Sequence, residues 1–294
     1  MRPPAADVNL RGAMTPRDGI LITADGLERL LGSDPALVVL DVRWALGDPD
    51  GRAHHAAGHI PGAVYVDLGT ELAGPRRADT GRHPLPDPTD LQDAARRWGI
   101  CSGSHVVAYD DVAGLSAARA WWLLRWAGLE SVRLLDGGLA AWRASGYGTQ
   151  SGSVLAARGD VTLRPGTLPV LGAEQAGALA RTGLLLDARA PERYRGELEP
   201  VDPRAGHITG AVSAPTAANV RADGTFADAA DLRRRFAALG ADPAAASGVY
   251  CGSGITAAHE IAALAIAGFD AVLYPGSWSE WVSDPTRPVA VGPD

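Results

Sequence analysis

Short apolar runs alternate with segments of helical periodicity from about residue 20 to residue 290. The runs 37–42, 105–109, 132–135, 184–188, 248–250 and 271–274 are bounded by Gly and Asp and rich in Val and Leu. Runs of this kind predict strands buried on both faces, as in a parallel sheet. Apolar residues at helical spacing predict helices over 24–31, 89–98, 115–127, 173–182, 229–239 and 256–267, with Thr23 and Thr256 as N-caps. Strand–helix alternation predicts an α/β fold, a parallel sheet flanked by helices on both faces.

The pattern is written twice. Leu37-Val38-Val39-Leu40-Asp41-Val42-Arg43 has a partner in Leu184-Leu185-Leu186-Asp187-Ala188-Arg189. Ala57-Gly58-His59-Ile60-Pro61-Gly62-Ala63-Val64 has one in Ala205-Gly206-His207-Ile208-Thr209-Gly210-Ala211-Val212. The later runs ending Tyr109-Asp110 and Tyr250-Cys251 also match, and so do the turns Gly137-Gly138 and Pro275-Gly276, followed by Trp142 and Trp281. Asp41 to Asp187 is 146 positions, His59 to His207 is 148 and Tyr109 to Tyr250 is 141. Near-constant spacing marks a duplicated domain. The expected division is 20–146, a linker at 147–166 rich in Gly and Ser, and 167–294. Met1–Gly19 carries prolines and charges but no apolar leader core, and is expected to be a loose tail.

The 294 residues suit two domains, and 46% hydrophobic with 21% charged residues describes a chain able to bury a substantial core. Twenty-seven basic against 34 acidic residues gives −7, which argues against a nucleic-acid binder. The absence of an apolar stretch long enough to span a bilayer predicts no membrane segment, and the expected location is cytoplasmic. Cys101 and Cys251 lie far apart and outside any Cys/His cluster, which argues against a disulfide framework and a zinc site.

Cys251 follows a strand end and opens the loop Cys251-Gly252-Ser253-Gly254-Ile255-Thr256-Ala257, before a helix. Small residues let successive backbone N–H groups turn toward the sulfur, and the helix N-terminus adds positive potential there. Such a loop stabilises a thiolate, the nucleophilic form of cysteine. Cys101 lacks this setting and is read as a bystander.

The duplicated Asp-x-Arg and Gly-His-Ile motifs, with Cys251-x-x-Gly254-x-Thr256-Ala257 in the second copy, resemble the rhodanese superfamily over about Ile20–Val289. The resemblance is to two-domain sulfurtransferases of the 3-mercaptopyruvate type. It implies tandem rhodanese-like domains with a single working thiol. Asp110 stands where the second copy has Cys251, as is usual for the non-catalytic domain. Thiosulfate-type members tend to carry basic residues after the cysteine, whereas this chain has Gly252 and Ser253. The implied reaction is attack of Cys251 on the sulfur of 3-mercaptopyruvate, release of pyruvate, and transfer of the outer persulfide sulfur to a thiol, thioredoxin or cyanide. The amides of Gly252, Gly254, Ile255 and Thr256 would hold the sulfur anion. No cofactor or metal is implied.

A keto-acid donor needs a cation for its carboxylate. The resemblance assigns this to Arg193, and to Arg204 as the nearest match to a second arginine. It also suggests a Ser253–His59–Asp50 set for moving a proton. His207, Asp41, Asp187, Arg43 and Arg189 are read as structural, and the tryptophans as packing. The segment Gly81–Pro86 is read as a loop able to cross the interface and wall the pocket. A Cys-x5-Arg phosphatase is disfavoured because Ala257 stands in the arginine's place. A thiosulfate sulfurtransferase and a non-enzymatic sulfur-relay module remain as alternatives.

Overall fold

The computed structural model describes residues 15–48 and 50–293. The strands are β1 (Leu21–Ile22), β2 (Leu37–Asp41), β3 (Val64–Tyr65), β4 (His105–Tyr109), β5 (Val132–Leu135), β6 (Leu185–Asp187), β7 (His207–Ile208), β8 (Val212–Ser213), β9 (Ser247–Tyr250), β10 (Ala271–Leu273) and β11 (Val289–Ala290). The first unit holds a parallel sheet ordered β1-β5-β4-β2-β3. The second holds a parallel sheet ordered β10-β9-β6-β8, and Val170 bridges Leu273 where the first unit has β1. The repeat in sequence is thus a repeat in strand order. β7 and β11 add a small antiparallel pair in the second unit, and the antiparallel bridge between His59 and Gln150 is its counterpart in the first.

Apolar runs become strands because both faces are covered by helices. Ala24–Leu31 is capped by Thr23, whose hydroxyl accepts the Gly26 N–H, and Pro88 starts Pro88–Arg97 behind the Asp87 cap. Ala117–Trp126 and Thr256–Ile266 are apolar around nearly their whole circumference, and both are almost entirely buried. Helices of that kind belong inside a structure. They pack on one another at the centre of the molecule, where small residues such as Ala118, Ala257 and Ala258 allow close approach. One continuous apolar core therefore runs through both units.

The matched Asp and Arg residues tie each unit together in the same way. Arg43 donates to Asp41 and the Gly58 carbonyl, and Arg189 donates to Asp187 and the Gly206 carbonyl. Tyr109 Oη accepts the Ile60 N–H at 3.1 Å and Tyr250 Oη accepts that of Ile208 at 3.1 Å. Trp121, Trp122, Trp278 and Trp281 are packed inside.

The chain before residue 20 departs from the expected loose tail. Pro16–Ile20 is a helical turn held by a capping box between Thr15 and Asp18. Arg17 pairs with Asp136 at 2.6 Å and donates to the carbonyls of Phe226 and Ala227, so it clasps the second unit to the first. Residues 1–14 of the expected tail lie outside the described residues. Residues 147–166 run without a helix along the first unit, pinned by Gln150 to His59, by Val161 to Ile100 and by Arg164 to Ala127.

Candidate active site

The sheet order sets the carboxyl ends of β6 and β9 side by side, the usual ligand position in an open parallel sheet. Cys251 lies there, only 2% exposed. Its N–H donates to Ser277 Oγ and its Sγ accepts the Gly254 N–H, both at 3.1 Å. Gly254 takes φ +79°, and a Cβ on it would stand 2.5 Å from the Pro275 carbonyl oxygen. Glycine alone meets both demands. Trp278 and Ser279 donate their N–H groups to the carbonyls of Cys251 and Gly252, which locks the loop to the next turn.

The helix starts at Thr256, with Ile255 at the N-cap and no side chain capping it. This corrects the expectation that Thr256 is the cap. Ile255 already has helical φ and ψ, so Thr256 falls inside the first turn. An uncapped start leaves the first N–H groups available to an anion at the sulfur. The first unit shows such a loop in use. Asp110, at the place of Cys251, accepts the N–H groups of Val112 and Gly114 on one oxygen and those of Ser116 and Ala117 on the other, at 2.7–2.9 Å. Burial pushes the Asp110 carboxyl up and the four donors oppose it. A proton on either oxygen would have to displace one of those bonds, which is the pattern of a carboxylate.

Three arginines surround the Cys251 loop. Arg193 follows β6 on the turn Pro191–Tyr194, as the sequence suggests. Arg82 comes from the first unit. A Cβ placed on Gly252 would lie 3.0 Å from Arg82 Nη2 and 3.3 Å from Arg193 Nη1, so both guanidiniums close over that glycine. Arg119, fully buried on Ala117–Trp126, donates to the carbonyls of Leu72, His83, Pro84 and Gly254. Burial pulls its pKa down to about 10, while the charge of Cys251 favours its protonated form.

Ser253 Oγ lies 2.9 Å from Nδ1 of His83. Burial lowers the pKa of His83 to about 4, helped by Arg119, Arg82 and Arg76, so the imidazole is neutral at physiological pH. The loop Gly81–Pro86 does cross the interface: Arg82 N–H donates to Ser279 Oγ at 3.0 Å, and Gly81 packs against the backbone of Gly276.

The Ser253–His59–Asp50 set is not assembled. His59 is buried in the first unit, stacked on His55, with Nδ1 on the His55 carbonyl and its backbone paired to Gln150. His207 repeats this arrangement with Tyr194, so the Gly-His-Ile histidine is a packing residue in both copies. Asp50 is exposed at the start of the helix Gly51–Ala57. Arg204 also turns away from the loop: it donates to the carbonyls of Pro285 and Arg287, and its own carbonyl accepts from Trp278. Arg82 and His83 lie in the loop expected to wall the pocket but carried no chemical role of their own in the sequence, and Arg119 was not singled out there. For Arg119 a signal exists, a lone charge in the otherwise apolar first two turns of a helix.

A family model for the rhodanese-like domain matches residues 23–145 and 172–284. A probable 3-mercaptopyruvate sulfurtransferase from Pseudomonas aeruginosa is 49% identical over 279 residues, 92% of this chain and 98% of the relative. A putative thiosulfate sulfurtransferase, SseB, from Mycobacterium tuberculosis is 49% identical over 284 residues, 95% of this chain and 99% of the relative. The crystal structure of SseA from Escherichia coli, described as a 3-mercaptopyruvate sulfotransferase, superposes with TM-score 0.78 at 32% identity, covering 88% of this chain and 98% of that one. With a cysteine in an amide-lined loop at a strand end, and two domain matches covering most of its length, the chain belongs to the rhodanese family as a two-domain sulfurtransferase.

Proposed function

We propose that this sulfurtransferase takes its sulfur from 3-mercaptopyruvate and carries it as a persulfide on Cys251. The observation that supports this most is the pair of guanidiniums, Arg82 and Arg193, over Gly252, the residue that follows the thiol in the chain. A donor with a carboxylate next to a keto group matches that charge. The Cys251 thiolate attacks the donor sulfur, the S–S bond forms, and the C–S bond breaks with its electron pair leaving as the pyruvate enolate. In the tautomer with hydrogen on Nδ1, His83 donates to Ser253 Oγ. The serine O–H is then free to donate to the keto oxygen where negative charge develops. Protonation of the enolate carbon gives pyruvate. The persulfide sulfur is held by the loop amides until a thiol, thioredoxin or cyanide removes it and returns the thiolate.

A reduced compartment such as the cytoplasm suits a thiol acceptor. Among the described residues no helix is long and apolar enough to cross a membrane.

The test is single-turnover mass spectrometry on the intact chain with 3-mercaptopyruvate and, separately, thiosulfate. A gain of about 32 Da, one sulfur, on Cys251 is expected with the first donor, and Cys251→Ser should show neither adduct nor turnover. A larger kcat/KM for thiosulfate would transfer the assignment to that donor.

A further inference from the structure

The two guanidiniums are already occupied. Asp202 pairs through one oxygen with Arg82 and lies 3.5 Å from Arg193 through the other, which has no hydrogen-bond partner. Glu199 takes the rest of Arg193 at 2.6 Å and accepts the N–H groups of Val201 and Asp202, so it bends the loop that delivers Asp202. Asp202 and Glu199 side chains are 4% exposed, and Arg193 Nε, although buried, has no partner.

We propose that Arg82, lent by the first unit, and Arg193 form the two-cation seat for the donor's carboxylate, and that Asp202 sits in this seat as a stand-in which the donor displaces. The idea rests on the anionic donor proposed above. It also accounts for Arg204 facing elsewhere, because the second cation comes from the other domain. An arriving carboxylate exchanges one anion for another on the same guanidiniums, and the 199–204 loop swings out with Asp202. The seat therefore holds an anion at rest and admits the donor by exchange.

The probe is alkylation of Cys251, followed on its own peptide so that exposed Cys101 does not contribute. Iodoacetate carries a carboxylate and iodoacetamide is its neutral counterpart; both form an S–C bond and expel iodide. The ratio of their rates reads the seat. Arg82→Gln should lower the iodoacetate-to-iodoacetamide ratio by about tenfold, the size of one charge-assisted contact. Asp202→Asn should raise the ratio several-fold by vacating the seat. The double variant R82Q/D202N, which removes both partners of the buried pair, guards against misfolding of either single variant and should fall well below D202N. An unchanged ratio in R82Q, or a lower one in D202N, overturns the proposal. Alkylation uses no sulfur donor, so a failure of 3-mercaptopyruvate to load Cys251 would sink the proposed donor without touching this result. With a working donor, R82Q should raise KM by about tenfold with little change in kcat.

Discussion

Replacing His83 by glutamine tests whether a neutral histidine serves Ser253. In the folded chain burial holds the His83 pKa at about 4, against 6.5 when free. Between those values the unfolded chain binds a proton that the folded chain refuses. The stability that depends on this is complete above pH 6.5 and drains away as the pH falls toward 4. The loss is about 1.4 kcal/mol per pH unit, or about 3 kcal/mol in all. His259, fully buried and also at about 4, contributes a similar loss in wild type and variant alike. Urea unfolding at pH 7 and pH 4.5, for wild type and His83→Gln, isolates the His83 part. The wild type should lose about 2–3 kcal/mol more than the variant across that interval. Equal losses would mean that His83 titrates normally in the fold. Activity gives an independent reading: kcat/KM should show no histidine inflection near pH 6.5. Such an inflection, removed by H83Q, would make His83 an ordinary acid–base group and refute the neutral-imidazole reading.

Ser253→Ala should lower kcat for 3-mercaptopyruvate by roughly 10- to 100-fold with a small change in KM, as expected for a donor that acts on charge formed during reaction; steady-state kinetics checks this. Gly254→Ala should destabilise the fold by about 2–4 kcal/mol, because residue 254 has positive φ and faces the Pro275 carbonyl; denaturant titration reads it. Arg17→Met should cut about 1–2 kcal/mol and speed proteolysis near residues 15–20, since the buried Asp136 loses its ion partner.

The periodic segments were legible because local pattern and burial agree there. The helix Ala24–Leu31 and the strands β4 and β5 occupy the expected residues. The turn at Pro16–Ile20 has a local signal, Thr15 with Asp18 three residues on and Pro16 at the first helical position, in a segment expected to be a loose tail; its docking was not legible, since that depends on Arg17 finding Asp136, Phe226 and Ala227, residues distant in sequence. The same cause divides the site. Cys251 and Arg193 sit in contiguous motifs within one unit. Arg82 and His83 sit far upstream in a loop without periodicity, and contacts between the units bring them to Ser253 and Gly252: the packing of the helices Ala117–Trp126 and Thr256–Ile266, the Arg119 bonds to His83, Pro84 and Gly254, and the Arg82 N–H on Ser279. Motif matching pointed to His59, which is packed against His55, and to Arg204, whose guanidinium is bonded to the carbonyls of Pro285 and Arg287. A short motif carries no information about which face of the other domain it meets.

The duplication bears on the proposal that Cys251, in the second copy, carries the sulfur. Each unit lends a loop to the other: Gly81–Pro84 meets Gly276, and Asp223–Ala227 meets Gly137 and Asp136. The lent loops differ in chemistry. The first brings Arg82 and His83 to Cys251, whereas the second brings Thr225 and Phe226, and Phe226 stacks on His259. At the position of Arg119, 141 residues on, the second unit has Glu260, held by Asn219 and Arg235 of its own unit. The Asp110 loop keeps its amide cradle, but the second unit's loop brings it Thr225 and Phe226 where Cys251 receives Arg82 and His83, and the imidazole beside Gly114 is the buried His259. Asp110→Cys in a Cys251→Ser background should therefore gain no sulfur from 3-mercaptopyruvate in the mass assay, although the amides that held Asp110 are all present. A sulfur adduct on residue 110 would show that the cradle alone is sufficient, and that the lent loop is dispensable for loading.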